Sequence, residues 1–92
     1  MNAHCYIVCY DLCQPGRDYS QLYKALKEYP YWGKITESVW AIVSPDDAVQ
    51  ILKNLRKYID TNDRIMVLLS GKSAAWIHAL ADDEWLKTNL IK

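Results

Sequence analysis

The chain has 92 residues, enough for a single domain over residues 1–92, and 51% of them are hydrophobic, with 4 Trp and 7 Tyr. Eleven basic and eleven acidic residues give a formal net charge of zero, so the basic excess typical of nucleic-acid-binding proteins is absent. No apolar run reaches membrane-spanning length, no basic signal-peptide region is visible, and three cysteines fit reduced thiols, so we expect a cytoplasmic protein without a membrane partner.

The first predicted element is a strand over residues 4–11, where aromatic and β-branched residues dominate a run too short for a free-standing helix. Alternation gives two faces: Cys5, Ile7, Cys9 and Asp11 on one, and Tyr6, Val8, Tyr10 and Leu12 on the other. Both faces are apolar, so both need cover. Asp11 stands where the apolar run stops, a position at which open α/β sheets often place chemistry. The alternative is that Asp11 caps a local turn.

A helix is predicted over residues 19–29, with Asp18 as its N-cap and Gln21 completing a capping box. Pro30 ends it, because the residue before a proline is pushed out of the helical region. Its apolar stripe consists of Tyr19, Leu22, Tyr23, Leu26 and Tyr29.

Two strands are predicted next, over residues 32–36 and 38–43, joined by a tight turn near Glu37. One long bent strand is the alternative, since periodicity alone does not separate the two. A later strand over residues 64–70 consists mainly of branched apolar residues and is predicted to be buried.

Between these strands, Ser44 and Pro45 predict a helix start, with Ser44 as the cap and the helix running over residues 45–58. The predicted buried stripe is Ala48, Ile51, Leu52, Leu55, Tyr58 and Ile59. The outer side carries three basic residues, Lys53, Arg56 and Lys57. They form either a phosphate-facing patch or a solvated face, and charged runs on helices usually face water.

The order β-α-β-β-α-β predicts an α+β domain with a ferredoxin-like arrangement, a four-stranded antiparallel sheet with two helices on one face. A C-terminal extension follows, in which residues 74–79 form a short strand or a helical turn and residues 82–90 form a helix. The sheet's other face is then bare. Because the first strand is apolar on both sides, we expect a second copy of the chain to cover that face, giving a homodimer.

Asp11 is the candidate for chemistry. The three cysteines are spaced by four, at Cys5, Cys9 and Cys13, too far apart on a strand for a compact metal site, so they are interpreted as small buried hydrophobes. One carboxylate holds Mg²⁺ poorly, since that ion takes oxygen ligands octahedrally. In a two-fold dimer, two copies of Asp11 could hold one divalent ion, which could activate water or stabilise a departing phosphate oxygen.

Six short motifs follow one another along the chain: Tyr10-Asp11-Leu12, Pro15-Gly16, Tyr19-Ser20, Ser38-Val39-Trp40, Asn62-Asp63-Arg64 and Ala74-Ala75-Trp76. In this order they resemble the CRISPR-associated protein 2 family, and most closely its short offshoot sometimes labelled SinR-like. A related branch, virulence-associated protein D, is a ribonuclease toxin. Each motif is short, so the resemblance is specific through their order over nearly the whole chain.

The resemblance implies a ferredoxin-like homodimer in which Asp11 is the catalytic residue and the ligand of Mg²⁺ or Mn²⁺ in a metal-dependent nuclease. Tyr10, Arg17 and Ser38 are the candidate substrate contacts. Main-family members work chiefly as non-catalytic dimeric bridges between integrase subunits. This chain departs from them in its neutral charge and in the helix over residues 82–90, which stands where a docking strand is usual.

Three functions remain open from the sequence. The first is a metal-dependent endonuclease, with RNA favoured over duplex DNA as the substrate. The second is a dimeric scaffold for a protein or nucleic-acid partner, which the neutral charge and the aromatic residues Tyr31, Trp32, Trp76 and Trp85 favour. The third is a toxin–antitoxin component.

Overall fold

A computed structural model of the chain describes residues 3–13 and 18–90. The elements, in chain order, are β1 (His4–Asp11), α1 (Ser20–Lys27), β2 (Tyr31–Thr36), β3 (Val39–Ser44), α2 (Ala48–Leu55) with a 3₁₀ turn at Arg56–Tyr58, β4 (Arg64–Leu69) and α3 (Asp83–Asn89). The strands form one antiparallel sheet in the order β2-β3-β1-β4. This confirms the α+β fold, and the strand and helix order is that of a ferredoxin-like arrangement. Of the helices described, none is long and apolar enough to cross a membrane.

The turn between the two middle strands settles one alternative. β2 ends at Thr36 and β3 begins at Val39, so a tight turn at Glu37 and Ser38 joins them into a hairpin, as predicted. The single long bent strand is excluded.

Helices α1 and α2 cover the first face of the sheet. The predicted alternation along β1 is confirmed, because Tyr6, Val8 and Tyr10 all enter this core, where Trp40 is almost fully buried. Most of the buried helix residues come from the predicted stripes, namely Leu22 and Leu26 of α1 and Ile51 and Leu55 of α2, whereas Ala25 of α1 is buried without having been predicted. Burying large side chains from both layers supplies the main favourable free energy of such a fold.

The second face is not bare, which corrects the prediction. The chain's own C-terminal segment folds back over part of it, and Leu86 and Leu90 pack against Cys5, Ala41 and Val43. The α3 helix presents apolar residues one turn apart, so burying them on the sheet removes apolar area from both elements at once.

The segment leading to α3 also differs from expectation. Residues 74–79 form neither a strand nor a helical turn, so both alternatives were wrong. The backbone N–H of Leu80 donates to the carbonyl oxygen of Ile35 at 2.9 Å, which holds the segment against the edge of β2. His78 has a φ of 54°, a left-handed conformation that turns the chain toward α3.

Strand β4 is present where predicted, but it is not buried. It lies at the edge of the sheet, and Met66 and Leu68 expose 60% and 41% of their surface on the second face, which α3 covers only in part. The prediction was wrong because composition cannot separate a central strand from an edge strand beside an uncovered face. A strip of exposed apolar surface therefore runs along β4.

Both long helices begin later than predicted. The α2 helix starts at Ala48 because Asp47 and Gln50 form a capping box, with hydrogen bonds of 2.8 and 2.9 Å between side chains and backbone N–H groups. Ser44 instead closes β3, and its hydroxyl accepts the N–H of Asp46. The capping box predicted for α1 was wrong too: the helix starts at Ser20, whose N–H donates to Asp18 at 2.9 Å.

Gly33 lets α3 approach the sheet, which gives a test of how the C-terminal segment is held. A Cβ at this position would lie 2.9 and 3.0 Å from two ring atoms of Trp85 and 3.2 Å from Ala81. We expect Gly33→Ala to lower the free energy of unfolding by about 1–3 kcal/mol, because α3 must shift to relieve the overlap. Urea unfolding measures this change.

The matched control is Gly71→Ala, since a Cβ there meets nothing within 4 Å. That variant should change the free energy of unfolding by less than about 1 kcal/mol. Equal stability of the two variants would show that Trp85 does not pack tightly on Gly33.

Candidate active site at the end of the first strand

Asp11 is the last residue of β1, and its nearest charged partner comes from β4. The Arg64 guanidinium Nη1 lies 2.9 Å from the Asp11 carboxylate oxygen Oδ2, and the two residues are direct partners across the strands. The Asp11 side chain is 68% exposed and the Arg64 side chain is 74% exposed. An ion pair this exposed contributes little to stability. The carboxylate can therefore exchange Arg64 for another cation at small cost.

Cys13 completes the immediate surroundings of this pair. Arg64 Nη1 lies 3.5 Å from the Cys13 sulfur, and that thiol lies 3.6 Å from the carbonyl oxygen of Asp11. Across residues 3–13 and 18–90, no group of three or more His, Cys, Asp and Glu side chains could hold a metal ion. The described residues of one protomer therefore do not form a complete metal site, and a cation held at Asp11 needs ligands from a second source.

Asp63 organises the turn below the site, and the sequence reasoning missed it. Its oxygen Oδ1 accepts the backbone N–H of Cys13 at 2.7 Å and the hydroxyl of Tyr19 at 3.0 Å, and Oδ2 accepts the N–H of Asp60 at 2.8 Å. This carboxylate ties the end of β1, the start of α1 and the start of β4 together. The only signal was its place in the Asn62-Asp63-Arg64 motif.

Tyr10 and Ser38 stand beside the end of β1 with different environments. Tyr10 is buried, its hydroxyl donates to the carbonyl of Glu37 at 2.9 Å, and it accepts the Trp40 indole N–H at 2.8 Å. Burial raises the pKa of Tyr10 to about 12, although the Trp40 hydrogen bond acts in the opposite direction. Ser38 is half-buried, and its carbonyl accepts the Tyr10 backbone N–H at 3.0 Å.

The predicted substrate contacts are thus placed unequally. Ser38 lies in the turn that borders Asp11's end of the sheet, while the Tyr10 side chain is part of the core that supports that end. Arg17 lies outside the described residues. A role in substrate contact stays a prediction for all three.

A cavity of about 510 Å³ adjoins the site on the far side of Arg64, between the end of α2 and the start of β4. It brings Arg56, one of the three basic residues of the predicted patch, to the same cavity as Arg64. Asp60 and Asp63 line it as well, so its charge is mixed. Arg64 is the second site residue that was not predicted from the sequence. Nothing in the sequence near β4 indicates that Arg64 pairs with Asp11.

The comparisons with known proteins identify a family but no close relative. The family model described as CRISPR associated protein Cas2 matches residues 4–75, a span that includes Asp11 and runs from β1 through β4. No curated protein and no solved structure matches the chain. The narrower resemblance to the SinR-like offshoot and the relation to virulence-associated protein D stay predictions.

Asp63 gives a test of how the site is supported. We expect Asp63→Ala to lower the free energy of unfolding by roughly 2–4 kcal/mol, because three donors lose a charged acceptor. Urea unfolding measures the change. Asn62→Ala, at the exposed neighbouring position, should stay within about 0.5 kcal/mol of the wild type. If both variants were equally stable, Asp63 would not hold the turn.

Proposed function

The chain belongs to the CRISPR associated protein Cas2 family. We propose that it is a cytoplasmic homodimer that acts as a metal-dependent endonuclease and uses Asp11 of both protomers. The observation that carries the proposal is the position of Asp11. It is an exposed carboxylate at the end of the central strand, beside an apolar strip that is open to a second copy.

The apolar strip supports the dimer. It consists of the exposed Met66 and Leu68 of β4, with the half-buried Cys9 beside Met66 on β1, and all three lie on the same face of the sheet as Asp11. Two-fold symmetric contact places the same surface of each copy against the other, so the two Asp11 residues border one interface. Burying this strip removes exposed apolar surface that the chain's own α3 leaves uncovered.

The donor set becomes adequate only in that dimer. Two Asp11 carboxylates offer oxygen ligands of the kind that Mg²⁺ and Mn²⁺ prefer, with water and substrate phosphate completing the shell. A bound divalent ion supplies Lewis acidity and a water of lowered pKa for phosphodiester hydrolysis. Asp11 would hold and orient that ion, and its exposed ion pair with Arg64 would break.

Arg64 then has a second use in the proposed reaction. When the Asp11 carboxylate binds the ion, the Arg64 guanidinium loses its partner and becomes available at the same end of the sheet. Its planar set of N–H donors matches phosphate oxygens. Arg56 lines the adjoining cavity and would be a second cationic contact for the substrate. Ser38 would contact the substrate from the β2–β3 turn.

A second candidate is a non-catalytic dimeric scaffold, acting in CRISPR adaptation or in a toxin–antitoxin pair. The observation that favours it is the Asp11–Arg64 ion pair, which already supplies the carboxylate with a cationic partner at 2.9 Å. In this case the apolar strip would serve protein contact, and Asp11 would have a role in surface structure only.

Cleavage assays separate the two candidates. We expect wild-type protein to cut single-stranded RNA in Mg²⁺ or Mn²⁺ and not in EDTA. Asp11→Asn should reduce the rate by more than roughly 100-fold, beyond the loss typical of residues that only support a metal ligand. Single-stranded RNA, duplex RNA and duplex DNA are compared at equal dimer concentration.

Asp46→Asn is the matched control, because it makes the same chemical change at an exposed carboxylate near the start of α2. It should leave the rate unchanged. Cleavage that survives Asp11→Asn would exclude the catalytic role, and a wild type without metal-dependent cleavage would favour the scaffold.

The dimer itself is tested by a charge placed on the apolar strip. Met66→Glu should weaken self-association at least about tenfold, since a carboxylate in an apolar interface loses its hydration without a partner. Sedimentation velocity measures the dissociation constant. Val49→Glu is the control, because Val49 is 59% exposed, against 60% for Met66, but lies on α2. A monomeric wild type, or equal weakening by both variants, would contradict this interface.

A further inference from the structure

A row of aromatic rings leads from the core to the surface at β2. The Tyr10 and Tyr23 rings lie 6.4 Å apart, Tyr23 stacks on Trp40 at 6.4 Å with an interplanar angle of 12°, and Trp40 meets Trp32 at 5.6 Å. Trp40 is buried, whereas Trp32 remains 39% exposed. The row therefore ends in an indole ring that is fixed from behind and open to solvent.

Two lysine side chains lie along this row of rings. The Lys27 ammonium lies 5.5 Å from the centre of the Trp32 ring, and that of Lys34 lies 5.8 and 5.7 Å from the rings of Tyr23 and Trp40. Lys34 also forms an ion pair with Glu37 at 3.2 Å, in which the Lys34 side chain is 33% exposed and that of Glu37 is 86% exposed. One cation thus lies over the accessible Trp32 ring, and a second lies over the next two rings of the row.

We infer that Trp32, Lys27 and Lys34 form a binding surface for single-stranded nucleic acid, in which an unpaired base stacks on Trp32 and the two ammonium groups contact the neighbouring phosphates. Aromatic stacking combined with basic side chains along the backbone is the arrangement by which proteins bind single strands without reading their sequence. A duplex fits poorly, because its bases are already stacked on each other.

The support behind Trp32 makes this surface suited to stacking. The ring packs on Trp40, whose indole N–H is fixed by Tyr10, so a base meets a platform that loses little conformational freedom on binding. Lys27 lies over the Trp32 ring. Its long side chain can move to a phosphate when a base takes its place, which retains a favourable contact for the charge.

This surface is separate from the Asp11 site. Trp32 pairs with Ile42 and Ile42 with Tyr6, which lies five residues before Asp11 along β1. With about 3.3 Å per residue and about 4.8 Å per strand, the separation is roughly 20 Å. The inference rests on the proposed function in that the substrate is nucleic acid, but binding at Trp32 requires neither a metal nor cleavage.

Fluorescence anisotropy tests the inference on the full chain carrying Asp11→Asn, in EDTA, so that no cleavage occurs. The probes are a labelled oligouridine of about 12 nucleotides, within the usual site sizes, and an RNA duplex of equal length. We expect the single strand to bind more tightly than the duplex. Trp32→Ala should weaken binding roughly 5- to 150-fold, the range for losing one stacked base, and Trp32→Tyr should restore most of it.

Two lysine variants test the cationic part. Lys27→Gln should lower the dependence of log affinity on log salt concentration by roughly 0.7, the value for one phosphate contact on a single strand. Lys87→Gln, at an exposed lysine of α3 on the other face of the sheet, should leave that slope unchanged. Circular dichroism checks that each variant is folded. If Trp32→Ala does not fold, the affinities of the wild type and Trp32→Tyr are still compared.

Four outcomes would overturn the inference: no binding of oligouridine by the protein with an intact Trp32 surface, equal affinity of Trp32→Ala and Trp32→Tyr, equal slopes for the Lys27 and Lys87 variants, or tighter binding of the duplex. A polyglutamate peptide that bound as tightly as oligouridine, with the same dependence on Trp32, would indicate an acidic protein partner instead. Binding without metal-dependent cleavage by the wild type would support the surface and reject the nuclease. Cleavage without such binding would do the reverse.

Discussion

The need to cover both faces of β1 determines most of this structure. The strand lies inside the sheet, and its side chains alternate between two apolar sets, so each face must be removed from water by a separate layer. The first layer is the pair α1 and α2, which the βαββαβ order supplies. The second comes from α3, and it reaches only part of the face. One face of the sheet is therefore covered by two helices, and the other face is covered only in part.

The candidate site lies where that second layer stops. Asp11 ends β1 outside the cluster that α3 forms with the sheet, next to an edge strand in which Met66 and Leu68 are exposed. An acidic residue tolerates this position because it is solvated and has Arg64 across the ladder. The same boundary thus provides both features that the proposed dimer needs, an apolar strip for contact and a carboxylate at its margin.

The sequence predicted the features that depend on local periodicity and missed those that depend on distant pairing. The alternation along β1 and the apolar stripes of the helices follow from which side chains must leave water, and the structure confirms them. The start of α2 was missed because Ser44 and Asp47 are both good caps, and only the reach of Gln50 favours Asp47. Arg64 lies 53 residues from Asp11, and only the sheet register makes them partners.

The way in which α3 closes the second face has a consequence during synthesis. Cys5, Ala41 and Val43 are made early, but Leu86 and Leu90, which cover them, leave the ribosome much later. Until then the nascent chain carries an open apolar sheet face, and exposed apolar surface and strand edges are what make incompletely folded chains aggregate. During translation, two nascent chains can therefore associate through the sheet face that Leu86 and Leu90 bury in the complete protein.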